Sequence, residues 1–297
     1  MHPAHPTLIA GGLLAGALLV PWTGPTQADE VDPRVIEVMS ANLRWPIDPP
    51  PNNWELRRAR LVELLQEEAP DVVGLQESRD AYVVDLLEGL TGYAAYPSAG
   101  DRHNTILYRV DRIAVDRGTS DEENARVDSP KESWGEGSIR LPRCARLVIA
   151  STKRGFYVYN SHLDHRSLPS REWSVEVLID RIRSRKIDDP VVLTGDFNAS
   201  PDEATMAFLR GEATLGRGDG AIANPIPFLD TFRLLHPGEK TVGTFHGFLG
   251  TDLGRRIDYV FAGPRIRVLT ARILRDQGRG GYVSDHYPVS ATLQLPQ

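Results

Sequence analysis

Residues 191–200 read VVLTGDFNAS. The stretch begins as an apolar strand and ends in a glycine, an acid, an aromatic and an amide. Successive side chains of a strand point to opposite faces, so Asp196 and Asn198 face one spot just past the strand's carboxyl end. Asp and Asn at a strand end often cap a turn or the next helix. Here Ser200 followed by Pro201 predicts a helix cap of its own over 202–210. That leaves Asp196 and Asn198 for other work.

The same kind of strand recurs on both sides. RVIEVMSANL (34–43), DVVGLQES (71–78), NTILYR (104–109), RLVIAS (146–151) and FYVYNSHL (156–163) read as strands before it. RRIDYVFAG (255–263), IRVLTARIL (266–274) and YPVSATLQL (287–295) follow it. Asn53 predicts the cap of a helix reaching Glu68, with Leu56, Leu61, Leu64 and Leu65 at helical spacing. Further helices are predicted over 80–90 and 170–185. Residues 118–141 are charged, contain glycine and lack a period, so they read as a long surface loop beside a substrate cleft. Strands and helices alternate, but tight strand-to-strand steps interrupt them. That pattern suits two mixed sheets packed face to face with helices outside, and not a purely parallel doubly wound sheet.

The chain has 297 residues, 41% hydrophobic and 25% charged, enough for one large domain. Its net charge of −6 carries no basic excess of the kind that marks a dedicated nucleic-acid binder. Residues 8–20 form an apolar run too short to span a bilayer, ended by Pro21 and followed by small residues up to Ala28. This fits a cleaved secretory signal over 1–28, with the mature domain over 29–297 and a secreted or periplasmic location. No stable membrane association is expected after cleavage, and a monomer is expected. The one cysteine, Cys144, has no partner for an internal disulfide and no base nearby, so an inert, partly buried thiol is expected.

Five strands end in polar residues that chemistry uses. Asn42 follows VMSA, Glu77 follows VVGLQ, and His162 and Asp164 sit in NSHLDH. Asp258 lies in RRIDYVF, and Asp285 and His286 open the last strand. Each has a plain structural reading: Asn42 as a turn residue, His162 as a core histidine, Asp258 as the ion-pair partner of Arg255 or Arg256. Together they place several carboxylates at the mouth of one core, where like charges repel unless a cation lies between them. Hard oxygen donors without a cysteine cluster favour Mg²⁺ or Mn²⁺ over zinc. The chain has no HExxH and no GxSxG, so neither a zinc protease nor a serine hydrolase of the α/β type is supported.

In this order, ANLR, GLQES, NSHLDH, TGDFNASP, RIDYVFA and SDHYPV resemble the motifs of the endonuclease/exonuclease/phosphatase superfamily, and most of all its small exported bacterial members. The resemblance runs from about residue 35 to the end. It implies a four-layer α/β sandwich and a divalent-metal-dependent phosphoesterase. Carried onto this chain, it makes Glu77 the principal metal ligand, Asn42 the amide that helps hold the metal shell and Asp285 the second acid beside the metal. Asp196 becomes the group that activates the attacking water, Asn198 a donor to a phosphate oxygen, and His286 a phosphate contact held by Asp258. His162 becomes the other active-site histidine. Asn104, Asp164 and Arg171 fall where substrate-binding residues are expected. The segment 118–130 lacks the aromatics that related chains carry there, in a wall of the substrate site.

The reading is a Mg²⁺- or Mn²⁺-dependent phosphodiesterase or nuclease acting on a phosphate ester: nucleic acid, nucleotide or small phosphodiester. The alternatives are a phosphomonoesterase on a sugar or inositol phosphate, and an inactive binding protein on the same fold.

Overall fold

Strands made of nearly unbroken apolar residues have both faces covered. DVVGLQ and PVVLTG are such runs, and each lies inside a sheet. The computed structural model describes Met1 and residues 32–97, 104–125, 142–217, 220–275 and 280–297. The expected signal at 1–28 lies outside these apart from Met1, as does the 126–141 part of the expected loop.

In chain order the strands are β1 (Val35–Asn42), β2 (Val72–Gln76), β3 (Tyr93–Tyr96), β4 (Asn104–Arg109), β5 (Ile113–Val115), β6 (Arg143–Ile149), β7 (Gly155–His162), β8 (Val191–Asp196), β9 (Thr214–Arg217), β10 (Gly220–Ala223), β11 (Leu229–Asp230), β12 (Asp258–Ala262), β13 (Arg267–Ile273) and β14 (Val289–Gln294). The helices are α1 (Trp54–Glu68), α2 (Asp80–Gly89), α3 (Arg117–Ala125), α4 (Leu168–Arg183), α5 (Ala204–Leu209) and α6 (Thr231–Leu235).

The first sheet runs β13-β14-β1-β2-β4-β3 and the second β11-β12-β8-β7-β6-β5, while β9 and β10 form a separate hairpin. The pairs β1–β2 and β7–β8 are parallel; their other neighbours pair antiparallel. Alternation along each strand sorts its residues between two layers. Ile36, Val38, Val72 and Ile106 of the first sheet meet Leu147, Val158, Val192 and Val260 of the second in the central core. Their neighbours Met39, Val73 and Leu107 turn outward onto Leu61, Leu64 and Leu65 of α1. On the other side Tyr159 and Leu193 pack against Val175, Leu178 and Ile182 of α4. Each aliphatic side chain so buried contributes ~1.5–3 kcal/mol. The result is the α/β sandwich of two mixed sheets flanked by helices that the pattern predicts.

Four local expectations are corrected. Leu56 is exposed, and the buried face of α1 instead takes Arg57, which donates from Nη1 to the carbonyl of Leu43 at 2.6 Å. Ser200 is not a helix cap. Its backbone N–H donates to Glu203 Oε1 at 2.8 Å, Glu203 also pairs with Arg171 and Arg255, and that anchored turn delays α5 to Ala204. Helix α4 starts at Leu168, two residues earlier than its expected start, because Ser167 caps it by accepting from the Ser170 N–H. Residues 117–125, read mostly as loop, form α3, held where Asn124 Nδ2 donates to the Cys144 carbonyl at 2.7 Å.

Candidate active site

The parallel pairs bring polar strand ends together. Asn42 stands beside Gln76 at the ends of β1 and β2, and His162 stands beside Asp196 at the ends of β7 and β8. Asp258 opens β12 opposite Asp196. His286, just before β14, forms a backbone bridge to Phe245. Gly195 lets β7 approach so closely: a Cβ there would lie 2.3 Å from the Ser161 carbonyl oxygen.

Asp196 sits at the centre, 2% exposed. Its Oδ2 accepts from Asn42 Nδ2 at 3.1 Å and lies 3.6 Å from His162 Nε2 and 3.9 Å from His286 Nε2. Its Oδ1 accepts from the Asn198 backbone N–H at 2.9 Å. The Asn198 side chain donates to the Leu163 carbonyl at 3.0 Å. Burial, reinforced by the negative charge of Asp258, pushes the Asp196 carboxyl up to about 7, against the opposing pull of His286.

His286 has the opposite history. Burial alone would lower it, but Asp258, whose Oδ2 is 2.8 Å from Nδ1, together with Asp196 and Asp285 more than reverses this and pushes it up to about 10. Asp258 thus holds His286, and the alternative pairing with Arg255 or Arg256 is not formed. Arg256 is paired with Asp230 in the core, and Arg255 with Glu203 at 2.7 Å. His246 stacks on Tyr287 at 4.1 Å, and burial together with nearby His286 pushes it down to about 4.

Glu77 and Asp285 flank this group. Asn42 Nδ2 donates to Glu77 Oε1 at 3.4 Å, and its Oδ1 accepts from the Arg44 N–H at 2.8 Å. Arg44 Nη1 lies 3.3 Å from Asp285 Oδ2. Arg44, Glu77 and Asn198 all adopt left-handed backbone conformations, with φ of 61°, 53° and 48°. For residues other than glycine these cost of order ~1 kcal/mol or more each and turn the chain sharply at a strand end. Asp196, Asp258 and His286 present ligand atoms within 4.8 Å of one another. Within that trio Asp258 Oδ2 is already engaged by His286 Nδ1. The carboxylates of Glu77 and Asp285, with no sulfur beside them, are the donors that fit a hard divalent cation.

Of the remaining predicted residues, Asp164 and Arg171 have structural partners, whereas the Asn104 Oδ1 is buried without a hydrogen-bond partner among the described residues. Asp164 Oδ1 accepts from the N–H groups of Arg166 and Ser167 at 2.8 Å, shaping the turn into α4. Arg171 donates to the Asp164 carbonyl at 3.1 Å and to Glu203 at 2.8 Å. Asn104 opposes Gln76 across β2 and β4. Sequence reasoning assigned no role to Arg44, Phe245 or His246. Arg44 closes the ANLR motif, while Phe245 and His246 lie at 243–248, GTFHGF, outside the motifs named above.

A profile of the endonuclease/exonuclease/phosphatase family matches residues 39–286. The chain belongs to this family. Members of the superfamily are divalent-metal-dependent phosphoester hydrolases, and the acids gathered at this site accord with that dependence. Among curated relatives, protein angel of Drosophila melanogaster is 34% identical over 268 residues, covering 82% of this chain and 73% of that one. Nocturnin of the same fly is 28% identical over 209 residues, covering 65% of this chain; the match spans only 31% of nocturnin's length. Among solved structures, the mannosyl-6-phosphatase of Bacteroides thetaiotaomicron superposes with a TM-score of 0.70 at 22% identity, over 87% of this chain and 99% of that one. TDP2 of D. rerio complexed with a single-strand DNA product gives 0.65 at 20% identity, over 87% and 98%. Likenesses at this identity establish the family's fold.

Proposed function

We propose that the protein is a Mg²⁺- or Mn²⁺-dependent phosphodiesterase acting by in-line attack of water. The observation that carries this reading is the buried Asp196 carboxylate, 3.9 Å from the Nε2 of a histidine whose Nδ1 is held 2.8 Å from Asp258. A divalent ion held by Glu77 and Asp285 would supply neutralising charge at a phosphate oxygen and the leaving oxygen. Asp196, once ionised, accepts the proton of the attacking water at Oδ2. His286 uses Nδ1 for Asp258 and so offers Nε2–H to the phosphate, where charge is held in the transition state. An amide NH₂ carries two donors, so Asn198 keeps one for a phosphate oxygen while the other holds Leu163. His162 Nε2, 3.6 Å from the same carboxylate oxygen, steadies its charge.

Charge balance favours a diester. A monoester is a dianion at neutral pH and asks for more cationic groups than a diester. The adjoining arginines are already neutralised, Arg44 by Asp48 and Asp285 and Arg255 by Glu203. The monoesterase alternative draws support from the fold of the mannosyl-6-phosphatase. A panel with bis-p-nitrophenyl phosphate, p-nitrophenyl phosphate, DNA, RNA and a phospholipid separates the readings, each run with Mg²⁺, Mn²⁺ and EDTA. Faster turnover of the diester, abolished by EDTA, is expected. Preference for the monoester would reverse the assignment, and inertness in every arm would leave a binding protein. The mature enzyme acts after export as a monomer beginning near Asp29; an exported form that retains Met1 would contradict the cleavage.

A further inference from the structure

We infer that Asn160 and Gln76 are positioning residues, members of a buried hydrogen-bonded layer that sets the distance between the two halves of the site. The inference rests on the reading above that Glu77 and Asp196 serve one reaction centre. Those halves come from different sheets. Asn42 and Glu77 end strands of the first sheet, and His162 and Asp196 end strands of the second. The central core between the sheets is largely aliphatic. Apolar contact is non-directional, so by itself it holds the sheets together without selecting one relative position.

Directly beneath the site the side chains change character. Ser40 lies two residues before Asn42, Asn160 two before His162, and Thr194 two before Asp196, while Gln76 immediately precedes Glu77. All four are fully buried. Gln76 Nε2 donates to Asn160 Oδ1 at 2.7 Å, crossing between the sheets, and lies 3.1 Å from Ser40 Oγ. Thr194 Oγ1 donates to the same Asn160 oxygen at 3.1 Å. Asn160 Nδ2 returns to the first sheet, donating to the Leu75 carbonyl at 2.8 Å and the Thr105 carbonyl at 3.1 Å. Both donors and both acceptor positions of the Asn160 amide are thus used, three of them across the sheets.

Room for this crossing is built into the first sheet. A Cβ on Gly74 would stand 2.1 Å from Thr194 Oγ1 and 2.7 Å from Asn160 Oδ1. Buried polar groups are costly unless paired; apart from Gln76 Oε1, which has no partner among the described residues, the named side-chain groups of Gln76 and Asn160 are paired, and a network so paired at this depth rigidifies what it joins. Each strand that delivers Asn42, Glu77, His162 or Asp196 therefore carries one member of the layer, one or two residues below its site residue. The layer translates directional bonds into a defined Glu77–Asp196 separation.

The test uses two variants. Gln76→Met with Asn160→Leu replaces both sides of the crossing by apolar groups of similar size, a change a folded core can accept. Gly74→Ala keeps every polar group but displaces Thr194 and Asn160. For wild type and both variants, kcat and KM are measured on bis-p-nitrophenyl phosphate and the Glu77–Asp196 separation is measured crystallographically. Each variant is expected to lose roughly 100-fold in kcat with KM changed less than about threefold, as follows from a displacement of ~1 Å between reacting groups. The crystal separation should change by a similar distance. Unchanged kcat with a superimposable separation would overturn the inference. A double variant that fails to fold leaves Gly74→Ala to decide by the same two readouts. If the wild type hydrolyses nothing, the phosphodiesterase reading fails, and the crystallographic separation alone decides whether the layer positions these residues.

Discussion

Asp258 Oδ2 lies 2.8 Å from His286 Nδ1, and this contact, with the charges of Asp196 and Asp285 beside it, holds a buried imidazole as a cation across the neutral range. Burial would lower the histidine, and the carboxylates around it outweigh burial and push it up to about 10. In Asp258→Asn the largest of these opposing influences is gone, and burial is expected to prevail over what Asp196 and Asp285 still supply. The alkaline limb of kcat/KM should then move from near pH 10 to below the unperturbed value of ~6.5. Activity at pH 8 should collapse and return in part in mildly acidic buffer. Profiles of wild type and variant at saturating Mg²⁺ check this, and an unchanged profile would remove Asp258 from the chemistry.

Asp196 has a stability signature as well as a kinetic one. Its folded pKa of about 7 stands above an unfolded value of ~3.9. A carboxyl raised in this way supports the fold only while protonated, and that support is lost as pH rises through about 7. In EDTA, Asp196→Asn should therefore be more stable than wild type at pH 8, with the difference shrinking towards pH 4. Its kcat should fall by roughly 10²–10⁴-fold with metal affinity preserved, as for a group that moves a proton in the transition state. Urea titrations at both pH values and metal-binding isotherms test the two halves separately. A variant less stable at pH 8 contradicts the first, and parallel loss of metal affinity contradicts the second.

Glu77 is held by Asn42 in a strained turn, which suits a fixed ligand. Glu77→Gln keeps the shape and the hydrogen bond to Asn42 but removes the charge. Calorimetry should show metal affinity falling by at least roughly tenfold, as found when metal-site partners are changed. The melting temperature in EDTA should stay within a few degrees of wild type. Undiminished turnover at limiting Mg²⁺ would show that Glu77 is no ligand.

Cys144 is 1% exposed, and burial pushes its thiol up to about 12. A thiol reagent should label it only at the rate of unfolding. Cys144→Ala should leave kcat unchanged and cost ~1 kcal/mol of stability, the usual scale for a core substitution. Rapid labelling of the native protein would contradict its place in the core.

Nine of the fourteen described strands, their polar ends and the sandwich of mixed sheets were legible because long strands carry short-range regularities, whereas the short strands β3, β5, β9, β10 and β11 carry too few residues to show one. VVLTGD and VVGLQ announce strands covered on both faces, and alternation places Asp196 and Asn198 past a strand end whatever the rest of the chain does. The misplaced start of α5 has the opposite cause. Ser200 and Pro201 have the local chemistry of a helix start, but Arg171 and Arg255 capture Glu203 and set the boundary from outside.

The amino-acid sequence by itself determined which residues stand at the ends of which strands. Only the tertiary structure decided who meets whom there. Asn42 donates to an Asp196 that lies 154 residues away, and Asn160 crosses 84 residues to Gln76. Propensity and periodicity act over a few residues, whereas such contacts are set by how two sheets stack. The opposite pKa shifts of Asp196 and His286 follow from the same cause. Each is a function of burial and of the charges nearby, and neither exists until the strands that carry them are brought together.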